Sequence, residues 1–254
     1  MLFTDQLHRT IELPFPPQRI VSLVPSQTEL LFDLGLEEKI VGITRFCIHP
    51  QDKVKKVPKI GGTKKFHFEK IDELCPDLII ANKEENYREG IEQLAQKYPV
   101  WVSDVITFED ALQMILKVGE ICGKKWEAQI MVSFITASFS MVQKMYSGKV
   151  AYLIWKNPYM AVGNHTFIHD ILQKLGFTNV FAEKSRYPEV TISEIAELQP
   201  DYVFLSSEPY PFKEKHLQEL QNALPFCQVK LVNGEMFSWY GSRLIHASKY
   251  FQKF

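Results

Sequence analysis

The chain has 254 residues, 46% of them hydrophobic and 23% charged, an ordinary globular composition with enough length for one large core or two smaller ones. A net charge of −1 at pH 7 provides no global field toward nucleic acid or an anionic membrane, so neither is an expected partner and recognition must be local. No apolar run approaches the roughly 20 residues that cross a bilayer, which excludes membrane insertion as a helix.

The opening segment, MLFTDQLHRTIELPFPP, lacks the continuous apolar stretch and small-residue cleavage site of a signal peptide, so as written a cytoplasmic protein is expected. Arg19–Pro25 (RIVSLVP) is a continuous apolar run, the mark of a strand buried on both faces. Ser26-Gln27-Thr28-Glu29 reads as a capping box opening a helix that Gly35 stops. A strand at Ile40–Thr44 leads into a loop with Pro50, Pro58, Gly61 and Gly62. The lysines 53, 55, 56, 64 and 65 around it read as a solvated face. A helix near Glu69–Leu74, a strand at Asp77–Ala81, a helix near Arg88–Tyr98 and a strand at Val100–Ser103 complete an alternating pattern. That alternation predicts a parallel sheet flanked by helices.

Thr107–Tyr146 contains no proline and is rich in helix formers. Gly119 and Gly123 mark a break, after which Lys124–Met145 is expected to run as one helix of roughly 33 Å. Phe134, Ala137, Met141 and Met145 share a face expected to be apolar and inward, with Met141 and Met145 in the core, as Ile79 and Ile80 are.

The second half repeats the plan. Val150–Trp155 is a strand, a helix from about Thr166 ends at Gly176, and a short strand at Asn179–Ala182 follows. Thr191-Ile192-Ser193-Glu194 is a second capping box, and Tyr202–Ser206 and Val229–Val232 are strands. Glu73-Leu74-Cys75-Pro76-Asp77 before LII matches Glu197-Leu198-Gln199-Pro200-Asp201 before YVF, and Leu34-Gly35-Leu36 matches Leu175-Gly176-Phe177. In both copies proline stops a helix and the chain enters a buried strand. The expected organisation is an N-terminal α/β lobe over 1–106, a bridging helical segment over 107–147 and a C-terminal α/β lobe over 148–254.

RIVSLVPSQTELLFDLGLEEKIVGIT, RFCIHP, IGG, FEKIDELCPDLII, AVGNHTFIHDILQKLGFTNVFAE and YPEVTISEIAELQPDYVFL, in this order, resemble the helical-backbone substrate-binding proteins of ABC transporters. Within that family the resemblance is closest to the cobalamin-binding branch. It implies an α/β fold of two Rossmann-like lobes with parallel sheets, bridged by one long α-helix. It also implies a bulky ligand in the cleft between the lobes, no chemistry on that ligand, no intrinsic cofactor, and an ABC permease as partner. Cobalamin, haem or a ferric siderophore is the implied ligand, a monomer is expected, and the family's usual location is periplasmic, which a start upstream of Met1 would restore.

The matching segments carry the family's pocket positions onto Phe46, His49 and Thr63 in the first lobe. In the second they fall on Trp155, Asn157, Pro158, Tyr159, Tyr187, Glu235, Phe237, Trp239 and Arg243. Aromatic faces suit a large planar ligand because they bury much area at low entropic cost. Thr63 stands where the cobalamin branch often has an aromatic. Permease docking implies an acidic residue near the matching helix start of each lobe. Glu69 fits in the first; in the second the spacing lands on Ser193, with Glu194 adjacent.

Several residues admit two readings. His165 and His169 have the i, i+4 spacing of a metal pair, or His165 caps a helix while His169 lies on the surface; no third ligand is near in sequence. Cys47 and His49 are soft ligands in the cleft loop, His49 as an axial ligand to cobalt or iron, or a packed cysteine and a pocket histidine. Trp155 and Trp239 line the cleft or plug the core. Arg243 binds a propionate or phosphate, or pairs with Glu235. Glu69 docks a partner or answers the helix dipole.

Enzyme signatures are missing: no GxSxG, no P-loop, and VPSQTE rather than GxGxxG after the first strand. The four cysteines, 47, 75, 122 and 227, are scattered without a C-x-x-C pair. That argues against a disulfide framework, a structural zinc site or a metallocluster subunit, and it fits a reducing compartment. A cytosolic carrier or sensor built on the receptor fold is the remaining alternative.

Overall fold

The computed structural model, which describes residues Met1–Phe254, begins with a hairpin invisible to sequence periodicity. Strand β1 (Leu2–Thr4) pairs antiparallel with β2 (Thr10–Glu12). The buried carboxylate of Asp5 organises the turn, accepting from the N–H groups of Leu7 and Arg9 at 2.9 Å each and from the Arg9 guanidinium at 2.8 Å.

The alternating pattern then appears as β3 (Ile20–Ser22), α1 (Pro25–Asp33), β4 (Ile40–Ile43), α2 (Gln51–Val54), α3 (Phe68–Leu74), β5 (Leu78–Asn82), α4 (Arg88–Ala95) and β6 (Val100–Ser103). The four strands form one parallel sheet in the order β4-β3-β5-β6. Val21, Leu23, Ile79, Ala81, Val100 and Val102 from the sheet pack with Ile71, Ile91 and Leu94 from the helices. Burial on both faces is why these strands read as unbroken apolar runs.

Helices α5 (Phe108–Ile121) and α6 (Lys125–Ser140) follow, separated where predicted. Gly123 sits at φ +71, and a Cβ on Gly119 would stand 2.3 Å from the Ala128 Cβ, so the corner requires both glycines. Helix α6 has 16 residues, about 24 Å, shorter than expected. It ends because the chain beyond it is captured by the last carbonyls of a later helix. The Lys144 and Tyr146 N–H groups donate to Lys174 O at 2.9 Å and Leu175 O at 3.0 Å. The face prediction also needs correction. Ala128, Ile135, Phe139 and Val142 are buried, whereas Phe134, Met141 and Met145 are exposed. The helix is apolar on both sides, so periodicity could not choose between them.

The second sheet is built from β7 (Lys149–Trp155), β8 (Tyr159–Ala161), α7 (Phe167–Leu175), β9 (Thr178–Asn179), β10 (Glu189–Val190), α8 (Ile192–Glu197), β11 (Tyr202–Ser206), α9 (Glu214–Ala223) and β12 (Gln228–Val232). Helices α10 (Gly234–Ser238) and α11 (Leu244–Phe251) close the chain. Strands β9, β7, β11 and β12 are parallel, in the same order as β4, β3, β5 and β6. The β8–β10 pair adds antiparallel strands on β7, so this sheet is mixed rather than parallel throughout. Two- and three-residue strands are too short to show an alternation, which is why they escaped the sequence reading.

The internal repeat has a backbone reason. Cys75 (φ 43) and Gln199 (φ 45) both end their helices in the left-handed region, one residue before the proline. The following aspartates clamp the first strand of each sheet. Asp77 accepts from the Gln18 and Arg19 N–H groups at 2.7 and 2.8 Å, and Asp201 accepts from the Lys149 N–H at 2.6 Å.

Two compact units divide the chain. One comprises Met1–Val105, Glu109–Ile135 and Tyr240–Arg243; the other comprises Ile106–Phe108, Thr136–Trp239 and Leu244–Phe254. The chain passes from one to the other within α6, and four residues near its end return to the first unit. No helix is long and apolar enough to cross a membrane.

The two predicted capping boxes differ in outcome. At α1 Pro25 occupies the first turn, Val24 makes no side-chain cap, and Glu29 is taken by another partner described below. At α8 the box forms, with the Glu194 N–H donating to Thr191 Oγ1 at 3.2 Å and the Thr191 N–H donating to Glu194 Oε2 at 2.8 Å. Lys184, 2.9 Å away, together with these bonds pulls the Glu194 carboxyl from 4.5 down to about 2. A depressed carboxyl stabilises the fold above its unfolded value and loses that contribution as pH falls toward its folded value. Glu194→Gln should therefore lower the melting temperature at pH 7, with the deficit shrinking to nothing between about pH 4.5 and 2 in melts followed by circular dichroism.

Candidate ligand-binding site

In open α/β sheets, loops at the carboxyl ends of the strands near the change in strand order are where ligands bind. In the first unit the loop after β4 carries Arg45, Phe46, Cys47 and His49. Phe46 is 49% exposed, with the Arg45 guanidinium 5.0 Å from its ring centre and Gly62 close beneath. Gly62 leads to Thr63, which is half-buried. Asn86 fastens this loop to the sheet: its amide donates to Thr63 O at 3.0 Å and Leu23 O at 3.3 Å, and its carbonyl accepts from the Asn82 N–H at 2.9 Å. The sequence reading overlooked Asn86; its only signal was a polar side chain shortly after a buried strand. Phe46, Thr63 and His49 thus share one loop region, with His49 half-buried.

Cys47 is turned inward, its sulfur 3.1 Å from Thr28 Oγ1 and 3.3 Å from Thr44 Oγ1. Burial pushes its thiol pKa up, so it stays protonated and is no soft ligand.

In the second unit, Trp155 ends β7 and is 40% exposed, its ring edge-on to Tyr210 at 5.6 Å between centroids. Asn157 and Pro158 form the exposed β7–β8 turn. Tyr159 is half-buried and covers the core cluster of this unit; its hydroxyl stands 3.4 Å from Glu219, and Lys156 lies 5.8 Å from its ring. Tyr187 is half-buried beside Arg186, at 5.9 Å. Glu235 is half-buried in the first turn of α10, its N–H capped by Asn233 at 3.1 Å.

Two expected contacts are corrected, and a third residue has an additional partner. Phe237 is fully buried, packed against Tyr152, Phe204 and Phe251, and offers no face to a ligand. Trp239 is largely buried and its indole N–H donates to Glu208 at 2.8 Å. Glu208 also accepts from the Ser238 hydroxyl at 2.8 Å, so this overlooked carboxylate fixes the indole in place. Arg243 is held by a carboxylate that the sequence did not suggest. Its guanidinium donates to both oxygens of Glu29, at 2.9 and 2.6 Å, and both side chains are buried in the first unit.

The histidine pair is likewise not drawn together as ligands. His169 Nδ1 accepts from the Asn179 amide at 3.1 Å, and burial lowers its pKa, so the neutral ring carries its proton on Nε2. His165 is exposed in a left-handed turn, and no group of three metal-ligating side chains is present. All four cysteines are free.

Two α/β units with aromatic side chains left open at the carboxyl ends of their sheets have the layout of a ligand-binding receptor. The chain belongs to the periplasmic binding protein family, whose profile matches residues 20–224. That family is one of substrate-binding proteins, not enzymes. An uncharacterized ABC transporter substrate-binding lipoprotein of Bacillus subtilis, YvrC, is 28% identical over 211 residues, covering 78% of this chain and 67% of its own. A vitamin B12-binding protein of Vibrio campbellii is 27% identical over 197 residues, covering 75% and 71%. Among solved structures, the periplasmic vitamin B12 binding protein BtuF of Vibrio cholerae matches with a TM-score of 0.76 at 21% identity, over 94% of this chain and 97% of its own. The periplasmic heme-binding protein RhuT from Roseiflexus matches with a TM-score of 0.79 at 19% identity, over 93% and 98%. At these identities the structural likeness establishes the fold.

Arg243→Met leaves the Glu29 carboxylate buried without its guanidinium, and should cost about 3–5 kcal/mol in urea denaturation. The double variant with Glu29→Met should recover most of that loss. A ligand-contacting Arg243 would instead lose affinity with little change in stability.

Proposed function

We propose that the chain is the substrate receptor of an ABC importer, that its ligand is a flat tetrapyrrole with cobalamin in first place, and that it performs no chemistry on that ligand. The observation that carries this reading is the pair Phe46 and Trp155, large rings left 49% and 40% exposed at the carboxyl ends of the two sheets. Water exposure of such rings is costly unless they have a partner to cover, and a planar macrocycle covers them at little entropic expense. Arg45 puts a cation 5.0 Å from the Phe46 ring centre, while Lys156 is held by Glu219 over the Tyr159 ring. This suits a ligand whose rim bears amides, carboxylates or a phosphate. The vitamin B12-binding names of the relatives support the same ligand class.

His49, Thr63, Asn157, Tyr159 and Tyr187 complete the proposed contact set, with Glu235 at its border. The permease is engaged through Glu69, exposed in the first turn of α3, and through the matching start of α8, where Ser193 and Glu194 stand. The receptor acts outside the cytoplasmic membrane, as the lipoprotein and periplasmic names among its relatives and structural neighbours suggest.

The test is a fluorescence-quenching titration with cyanocobalamin, haem and a ferric hydroxamate. Saturable quenching by cyanocobalamin at sub-micromolar concentration is expected, and Phe46→Ala and Trp155→Ala should each weaken it by about tenfold or more. Quenching by haem or the ferric hydroxamate alone would move the ligand class. Affinity unchanged in both variants would sink the site.

A further inference from the structure

Helix α6 carries a surface that the proposed ligand site does not use. Residues 128–142, AQIMVSFITASFSMV, contain no charged side chain, although the helix lies at the protein surface. Ala128, Ile135 and Phe139 are its buried side. On the opposite side Trp126, Ile130 and Phe134, spaced i, i+4, i+8, are 70%, 53% and 50% exposed. Residues four apart lie on one face, so these three form a continuous ridge. It leaves about 400 Å² of apolar surface in water, within the range of patches that mark interaction sites.

We propose that this ridge is a self-association surface, on which a second copy of the chain lays its own α6 antiparallel about a two-fold axis through Ile130. Three observations select a second copy over another occupant. The ridge is close to symmetric about Ile130, with one large aromatic four residues to either side. A two-fold there sets Ile130 on Ile130 and, twice over, Trp126 against Phe134 of the other copy, the self-complementarity that an isologous dimer requires. The one charged side chain between the aromatics, Glu127, is already ion-paired with Lys124 of its own copy at 2.8 Å, so an acidic or basic partner would find no free counter-charge, whereas two such faces meet without that cost. The area also suits the outcome. About 400 Å² of apolar surface from each copy approaches the apolar share of a standard interface of about 800 Å² per partner, which fits a reversible rather than an obligate dimer. Antiparallel packing opposes the two helix dipoles, which adds in the same direction. The monomer expected from the sequence took no account of this ridge, because Phe134 was expected to face inward.

Sedimentation velocity of the full chain from about 5 to 500 µM tests this. The expected mass rises from 29.5 kDa toward twice that value across the series. Ile130→Arg sets two like charges at the axis and should raise the dimer dissociation constant about a hundredfold, with the thermal melt unchanged because the position is exposed. In a Cys75→Ser background, Ile130→Cys should oxidise to a covalent dimer, whereas Trp126→Cys should not. Across an antiparallel pair two copies of position 126 stand about 12 Å apart, beyond disulfide reach. A monomer at every concentration, an Ile130→Arg variant that sediments like the parent, or equal crosslinking at position 126 would each overturn the proposal. So would binding to phosphatidylcholine vesicles without self-association, which would make the ridge a lipid-facing surface.

Discussion

Parallel pairing of the first strand of each sheet with two neighbours is the constraint from which the rest follows. Strand β3 hydrogen-bonds to β4 on one side and β5 on the other, and β7 does the same with β9 and β11. Parallel neighbours cannot be joined by tight turns, so each junction needs a crossover, and the crossovers bring helices onto the sheet. The loop that leaves the carboxyl end of β4 is then free of the ladder and carries Phe46, while Trp155 stands at the carboxyl end of β7 itself. The aspartate clamps, the left-handed helix ends and the Pro-Asp entries all serve to start the central strands in register.

Around this frame, polar groups are used where the backbone must be held without a strand partner. Asn86 ties the Thr63 loop to Leu23, and Asn82 spans from β5 to β6, its amide donating to Ser103 O at 3.2 Å. Glu208 holds both the Trp239 indole and the Ser238 hydroxyl. These buried polar side chains have named partners, as a low-dielectric interior demands. Phe46 and Trp155 stand out against that background because they are large, apolar and open to water.

What the sequence disclosed depended on whether a residue has one physical use or several. Proline before aspartate after a helix has few uses, and the repeated ELCPD and ELQPD segments accordingly announced two equivalent sheets. Gly119 and Gly123 marked a real corner for the same reason. An arginine or an aromatic has many uses. Arg243 could face a ligand, but its partner is Glu29, 214 positions away, beyond any local pattern. The capping box read at Ser26–Glu29 failed for a local reason: Pro25 starts the helix one residue earlier and leaves Ser26 inside it. Phe237 reads like Trp155 in sequence, and only the rings of Tyr152, Phe204 and Phe251 around it show it to be core. Helix α6 carries large apolar side chains on two opposite sides, so periodicity did not decide which is buried. Hairpin strands of two or three residues leave no period to detect.

The return of Tyr240–Arg243 to the first unit has a consequence for how the protein is made. Glu29 emerges from the ribosome early, and its guanidinium partner only after more than two hundred further residues. Throughout that interval the first sheet has its strands but not the guanidinium that pairs with the Glu29 carboxylate on α1. Until then the nascent unit holds that carboxylate without its guanidinium, which favours keeping it hydrated. For the same reason neither unit can be excised by cutting the chain within α6: an isolated first unit would lack its last four residues. The early half thus receives one of its buried ion-pair partners from the late half, a vectorial dependence set by the order of the chain.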